Sequence, residues 1–289
     1  MEPTIFIPGI QGTSLADVNT IDFNLVWNKY DTFFGAIGNR VAGVKFTDKL
    51  QDDPEFDADP QSIIERNHIF RFPYEDLVSS FQSKTKSDIY LFGYDWRKSN
   101  VYNAKLLMEY VNYLKKKLRV VNTFNFVTHS MGGLVFSCFL KQLNGDYSLV
   151  NKAVITAPPF RGSPYALVHL TVGNGGIRGF LSGNDDSRKA NRTFPSVYEL
   201  CPFYSGALTY SDGTGELDLT KKIQWQSNLY DDIIPLFERR LTALADYRSA
   251  QLFDLAALPE TEKKKIVIVA GEGEKTLAKV KVDKDKGGI

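Results

Sequence analysis

The chain has 289 residues, of which 43% are hydrophobic and 13% aromatic, and its formal net charge is +1. This length and hydrophobic content are sufficient for one large α/β domain with insertions. A nearly neutral charge gives no electrostatic reason to expect nucleic acid or a strongly acidic partner. The two cysteines, Cys138 and Cys201, form neither a disulfide framework nor a metal-ligand spacing.

The sequence also carries information about compartment. It contains no apolar run as long as the roughly 18 to 20 residues that a membrane-spanning helix needs. No signal peptide precedes the first predicted strand, so the chain is expected to be soluble and cytoplasmic by default. The abrupt start at Met1-Glu2-Pro3 is also compatible with a leader that has been removed, and the native compartment stays open.

The predicted elements alternate between strand and helix. Short apolar runs predict strands at 4–7, 88–92, 124–128, 152–157 and 265–270. Apolar residues at helical spacing predict helices at 73–81, 101–118, 134–140 and 230–247. Several of the strands are continuous apolar runs, which is typical of a parallel sheet covered on both faces. We therefore expect an α/β fold with a mainly parallel sheet flanked by helices.

Two long segments interrupt this alternation. Residues 16–70 are irregular and mix aromatic residues with the acidic tract 52–55, as expected of an excursion or lid. About a hundred residues between the fourth and fifth predicted strands do not read as sheet. An insertion of that size over the carboxyl edge of a parallel sheet would cover a site there.

The stretch F-N-F-V-T-H-S-M-G-G at 124–133 predicts a strand, a tight turn and a helix start. It matches the nucleophile elbow G-x-S-x-G, with Thr128 in place of the first glycine. Such a turn lifts its serine hydroxyl above the sheet, and the following helix N-terminus favours negative charge that develops there. Ser130 is therefore the candidate nucleophile. The alternative is that small residues simply end a buried strand ahead of a helix.

A second loop of interest, P-G-I-Q-G-T-S-L at 8–15, follows the first strand. Its proline and two glycines predict a loop whose backbone N–H groups can face a site. An ordinary turn is the alternative.

Five motifs together resemble a known family. They are I-F-I-P-G-I-Q-G at 5–12, Y-D-W-R at 94–97, H-S-M-G at 129–132, A-P-P-F-R-G-S at 157–163 and G-E-G-E-K-T at 271–276. In this order they resemble those of the lecithin:cholesterol acyltransferase-like lipases, which include lysosomal phospholipase A2 and bacterial relatives. The resemblance implies a single α/β-hydrolase domain over 1–289, with a lid at 16–70 and a cap at 165–258.

The resemblance also implies roles for individual residues. Ser130 would be the nucleophile, and the backbone N–H of Met131, with that of Ile10 or Gln11, would form the oxyanion hole. Asp95 and Arg97 would be mainly structural. The implied substrates are glycerophospholipids or related acyl lipids, with transfer to a lipid alcohol as a further outcome. No metal and no organic cofactor are implied, and association with a lipid surface is expected.

The family places its catalytic acid and histidine after the G-x-G-x-x-T turn, so both are expected to lie beyond the given chain. The histidines in the sequence are His68, His129 and His169. His129 adjoins the candidate nucleophile and is expected to point away from its hydroxyl, while the other two lie in the predicted lid and cap. Glu274 follows the fifth strand, where many α/β-hydrolases carry their acid, and is a weak candidate acid.

The predicted chemistry is ester cleavage or acyl transfer through an acyl-serine. Two alternatives stay open: a non-catalytic lipid-binding or scaffold homologue, and a general carboxylesterase. Aromatic residues of the two long segments are expected either to meet acyl chains or to pack the insertions. They are Trp27, Phe33, Phe34, Phe194, Tyr198, Phe203 and Tyr204.

Overall fold

The computed structural model describes residues 2–20, 24–27, 44–47, 56–57, 63–119, 121–171, 185–225 and 234–283. The strands are β1 (Thr4–Ile7), β2 (Thr13–Asp17), β3 (Asn24–Trp27), β4 (Phe46–Thr47), β5 (Phe56–Asp57), β6 (Ile64–Ile69), β7 (Ile89–Leu91), β8 (Phe124–His129), β9 (Val150–Thr156), β10 (Leu208–Tyr210), β11 (Ile266–Val269) and β12 (Val280–Val282). The α-helices are α1 (Arg71–Thr85), α2 (Asn100–Leu118), α3 (Gly132–Gln142), α4 (Pro164–Thr171), α5 (Asp185–Asn191), α6 (Pro195–Glu199), α7 (Ile234–Asp246) and α8 (Glu260–Lys263). Shorter 3-10 turns lie at Tyr147–Leu149, Lys222–Gln224 and Leu255–Ala257, and a π turn at Tyr247–Gln251.

A five-stranded sheet in the order β11-β9-β8-β1-β7 forms the centre of the fold, and every pairing in it is parallel. These are the five predicted strands, so the expected α/β architecture is confirmed. Strand β1, which pairs with β8 on one side and β7 on the other, is buried along its whole length, as its mostly apolar sequence requires.

Two helices illustrate how the sequence supports this sheet. Helix α3 is apolar from Gly132 to Leu140 except at Ser137, and its residues 132–140 are all buried. Helix α2 instead buries one face, which includes Leu107, Val111 and Leu114. Its N-terminus is capped by the Ser99 side chain, which accepts a hydrogen bond from the Val101 N–H. Three lysines occupy its last turn, where the helix dipole favours positive charge.

The chain divides into two compact units. The first comprises 1–15, 66–160 and 250–273, and it contains the parallel sheet. The second comprises 16–65, 161–249 and 274–289. The segments predicted as lid and cap fall largely within the second unit, and their action as lid and cap stays a prediction.

Strands occur where the sequence indicated loop or irregular chain. β2 begins within the stretch predicted as a loop, and β6 lies inside the segment 16–70; with β3 they form a sheet in the order β3-β2-β6. The expectation of no sheet between the fourth and fifth predicted strands was wrong at β10. This strand pairs in parallel with β12, which follows it by about 70 residues.

Among the five described aromatic residues named for the two long segments, Trp27, Phe194 and Tyr198 are buried, which favours the packing alternative for these three. The Tyr198 hydroxyl donates to the Arg192 carbonyl at 2.8 Å. Phe203 is exposed, with the Arg248 guanidinium over its ring. Phe33, Phe34 and the acidic tract 52–55 lie outside the described residues.

Within the described residues, no helix is both long enough and apolar enough to cross a bilayer.

Candidate active site

Ser130 lies in the tight turn between β8 and α3, as the elbow pattern predicted. Its backbone has φ 51°, a left-handed conformation that is strained for a residue with a Cβ atom. Two backbone hydrogen bonds hold it there. The Ser130 N–H donates to the Thr156 carbonyl at 2.9 Å, and the Gly133 N–H donates to the Ser130 carbonyl at 2.9 Å. The serine is half-buried, so its side chain is within reach of solvent.

Gly132 explains why the elbow needs a small residue directly after Met131. A Cβ atom at this position would lie 2.5 Å from the carbonyl oxygens of both Ile7 and Pro8. These are backbone atoms at the end of β1 and cannot move aside individually. The absence of a side chain therefore lets α3 begin directly against the end of β1.

The β1 loop, which we define as residues 8–12, lies against the elbow. Its turn is closed by a hydrogen bond from the Gly12 N–H to the Gly9 carbonyl at 3.1 Å. Gln11 has φ 62°, as required at the third position of a type II turn. A Cβ atom on Gly9 would lie 3.0 Å from the Ser130 Cβ. The loop that carries Ile10 and Gln11 is thus in contact with the candidate nucleophile.

Two aromatic residues of the Y-D-W-R motif form hydrogen bonds with the chain at the two ends of this loop. The Tyr94 hydroxyl donates to the Pro8 carbonyl at 2.9 Å, and the Trp96 indole N–H donates to the Thr13 carbonyl at 3.1 Å. The Tyr94 N–H also donates to the Thr13 hydroxyl at 3.2 Å. Both aromatic side chains are buried, so the two ends of the loop are fixed within the core.

Asp95 and Arg97 of the same motif form a buried ion pair. The Arg97 Nε and Nη2 atoms donate to the two carboxylate oxygens of Asp95 at 2.9 and 2.7 Å. The Asp95 carbonyl in turn accepts from the Asn103 amide at 2.9 Å. A two-point pair of this kind satisfies two charges that could not be buried singly. This arrangement agrees with the structural role expected for the pair.

His129 points to a tyrosine. Its Nδ1 atom lies 2.9 Å from the Tyr74 Oη, and the same oxygen accepts a hydrogen bond from the Gly9 N–H at 2.9 Å. Burial lowers the pKa of His129, so the imidazole stays neutral near neutral pH. Sequence reasoning did not identify Tyr74, since nothing near it in the sequence indicates that α1 brings its side chain to the elbow.

The remaining sequence candidates lie elsewhere. His68 is on β6, where its Nδ1 is 3.2 Å from the Ser14 Oγ. His169 is half-buried on α4, and Glu274 is exposed in the segment after β11. The structure thus brings together Ser130, Met131 and the β1 loop, and within the described part of the chain no histidine or carboxylate is hydrogen-bonded to the Ser130 hydroxyl.

A parallel sheet with a strained serine between its strand β8 and its helix α3, beside the loop of a neighbouring strand, is the arrangement of the α/β-hydrolase fold. Residues 72–281 match the family model described as "Lecithin:cholesterol acyltransferase". The match covers well over half of the chain, and the chain therefore belongs to this family.

Individual relatives support the assignment. The chain is 27% identical over 248 residues to "Lecithin-cholesterol acyltransferase-like 4" of Arabidopsis thaliana, a match covering 72% of this chain and 44% of the relative. It is 30% identical over 117 residues to "Phospholipase A(1) LCAT3" of the same plant, covering 37% of this chain and 25% of the relative. The chain thus spans less than half the length of these curated relatives.

The fold has a counterpart among solved structures. A chain in the crystal structure of the "Tle4-Tli4 complex" superposes with a TM-score of 0.55 at 16% identity. The match covers 86% of this chain and 71% of the other. At this identity it supports the fold alone.

Proposed function

We propose that this chain carries the nucleophile of a serine-dependent lipid esterase or acyltransferase, of the phospholipase A or O-acyltransferase type. The observation that carries the proposal is the strained backbone of Ser130 at the β8–α3 turn, in contact with the β1 loop. Strain of this kind persists where the surrounding structure enforces it, and it is common at active sites. Family membership supplies the substrate class, an acyl lipid.

The proposed chemistry uses the elbow and the loop together. The Ser130 hydroxyl attacks the ester carbonyl, and the resulting oxyanion accepts hydrogen bonds from the N–H groups of Met131 and of Ile10 or Gln11. Each such donor contributes about 3 kcal/mol to the transition state. Collapse of the tetrahedral intermediate expels the alcohol and leaves an acyl-serine. Water or a lipid hydroxyl then takes the acyl group, giving hydrolysis or transfer.

This chemistry needs a general base within hydrogen-bond reach of the Ser130 hydroxyl. The described residues place no imidazole there, because His129 is engaged with Tyr74 and His68 lies beside Ser14. We therefore expect the 289-residue chain by itself to catalyse ester cleavage or acyl transfer only slowly. Oxyanion stabilisation and binding alone leave a residual rate roughly 10³–10⁴-fold over water.

The nucleophile is tested with a fluorophosphonate probe, which reacts covalently with activated serines. We expect stoichiometric, slow labelling of the wild-type chain, with the adduct located on Ser130 by peptide mass spectrometry. Ser130→Ala should remove the adduct because the attacking oxygen is gone. Ser83→Ala, which changes an exposed serine on α1, is the matched control and should label like wild type.

Acylation of Ser130 by different esters distinguishes a lipid esterase from a general carboxylesterase and from a non-catalytic lipid-binding protein. A lipid esterase should also form an acyl-serine from a phospholipid dispersed in mixed micelles, detected as a mass shift on the Ser130 peptide. A general carboxylesterase would acquire the acyl group from short soluble esters and not from the phospholipid. If neither probe nor ester modifies Ser130 while the chain still binds phospholipid, the non-catalytic lipid-binding alternative is correct.

A further inference from the structure

One tyrosine hydroxyl joins the two segments that an acyl-transfer site must hold together. Tyr74, on helix α1, is buried, and its oxygen accepts the Gly9 N–H at 2.9 Å. The same oxygen lies 2.9 Å from the Nδ1 of His129. Gly9 belongs to the β1 loop, and His129 is the residue directly before Ser130. The hydroxyl therefore bridges the loop and the elbow.

The hydrogen bonds of Tyr74 join uncharged groups. Burial raises the pKa of Tyr74 and lowers that of His129, so near neutral pH both groups are uncharged. The Tyr74 oxygen accepts from the Gly9 N–H and lies within hydrogen-bond distance of the His129 Nδ1, where the tautomer of the neutral ring decides which group donates. Either tautomer gives a continuous chain from Gly9 through Tyr74 to His129, whose members polarise one another.

The Tyr74 ring is held in place independently of its hydroxyl. It packs edge-on against Phe6, with ring centroids 5.0 Å apart, and against the His129 ring at 5.6 Å. Gly12 also lies against it, since a Cβ there would be 3.0 Å from the Tyr74 Cε2. A phenylalanine would keep these contacts and lose the bridge alone.

We propose that Tyr74 is a positioning residue of the acyl-transfer site, whose hydroxyl fixes the β1 loop against the elbow. The Gly9 N–H already donates to Tyr74, so the oxyanion accepts its hydrogen bonds from the N–H of Ile10 or Gln11 and from that of Met131. The bridge sets the separation of these donors from Ser130. This inference rests on the proposed function of Ser130, and it adds a residue that does not itself touch the substrate.

The test is the Tyr74→Phe variant, measured by the kinetics of fluorophosphonate labelling. We expect the maximal labelling rate constant to fall about 10-fold or more, while the half-saturating probe concentration changes less than about twofold. Loss of one whole oxyanion donor costs about 10²–10³-fold, and a displaced donor should cost part of that. The rate constant responds because charge develops on the probe oxygen only during reaction. Initial binding does not depend on that charge.

Two further variants and one structural readout sharpen the result. Tyr110→Phe removes another hydroxyl of the same unit, one that donates to the Leu91 carbonyl outside the loop. It should label like wild type. His129→Phe removes the imidazole partner of the Tyr74 hydroxyl and leaves the Gly9 hydrogen bond, so its rate constant should fall measurably, though less than that of Tyr74→Phe. Hydrogen exchange at the Gly9 amide should accelerate in Tyr74→Phe and not in Tyr110→Phe.

The outcomes separate this inference from the proposed function. Normal labelling of wild type with an unchanged rate constant in Tyr74→Phe overturns the positioning role and leaves the nucleophile intact. If the lower labelling rate of Tyr74→Phe comes with weaker probe binding and a lower melting temperature, Tyr74 is merely structural, and the positioning role is again overturned. Absence of labelling at Ser130 in the wild type overturns both. If Tyr74→Phe does not fold, an unchanged rate constant in His129→Phe decides against the bridge.

Discussion

At the scale of single residues, the site depends on buried polar groups that each have a defined partner. The hydroxyls of Tyr74 and Tyr94 and the indole N–H of Trp96 all bond to the chain between Pro8 and Thr13 or to the elbow. A buried polar group without a partner costs about 1–3 kcal/mol. These side chains therefore fix the loop, because any other loop position would leave them unpaired.

The Asp95–Arg97 pair carries a prediction at this scale. Arg97→Leu should lower the free energy of unfolding by about 3–5 kcal/mol, because it leaves the buried Asp95 carboxylate unpaired. Urea denaturation followed by fluorescence measures the change. Lys263→Ala breaks the exposed pair with Glu260 and should cost less than about 1 kcal/mol. Equal losses in the two variants would show that the Asp95 charge does not depend on Arg97.

At the scale of elements, the five strands of the parallel sheet were predictable because each is a short apolar run between turn residues. The strands β2 and β6 were not, since T-S-L-A-D and I-E-R-N-H-I are mostly polar and carry little strand signal. Strand formation there depends on pairing with neighbouring chain, which local sequence does not encode.

The candidate site also contains features that local sequence predicts and features that depend on distant contacts. Ser130 and the β1 loop could be predicted because each is a local pattern of strand, turn and small residues. Tyr74 could not be predicted, because its role depends on contacts with Gly9 and His129, 65 and 55 residues away in the sequence. The buried hydrogen bond from Trp96 to Thr13 spans 83 residues and could not be predicted from local sequence either.

The contact between α3 and β1 gives a prediction at the element scale. Gly132→Ala should lower the free energy of unfolding by about 3 kcal/mol, because the new methyl group meets two backbone oxygens. This value is the upper end of the usual cost of overpacking. It should also abolish fluorophosphonate labelling by displacing the helix start. Gly271→Ala, with no atom within 4 Å of the added group, is the matched control.

Thermal unfolding and labelling of the two glycine variants are measured together. A Gly132→Ala chain that melts and labels like the control would mean that α3 does not need this close approach. Loss of labelling with unchanged stability would place the role of Gly132 in the site rather than in packing.

At the scale of the whole molecule, the sheet ends in an exposed apolar strand. In the described chain, β11 pairs with β9 on one side and is the last strand of the order. Its residues Val267, Ile268 and Val269 are 56%, 52% and 43% exposed. An edge strand presents unpaired N–H and C=O groups, and apolar side chains on it favour pairing with another chain.

We therefore predict that the 289-residue chain self-associates through β11 as its concentration rises, and that Ile268→Lys reduces the associated fraction several-fold. A lysine on an edge strand opposes pairing, since a neighbouring strand would bury or confront its charge. Because the Ile268 side chain is half exposed, melting temperature should change little. Sedimentation velocity across a concentration series measures the association.

Leu91→Lys is the matched control, because Leu91 is 46% exposed on β7, the strand at the opposite end of the sheet order. It should leave association through β11 intact. If both lysine variants reduce association equally, added charge acts on solubility in general and not on one edge. If neither does, the exposed apolar strand is not the surface through which copies of the chain meet.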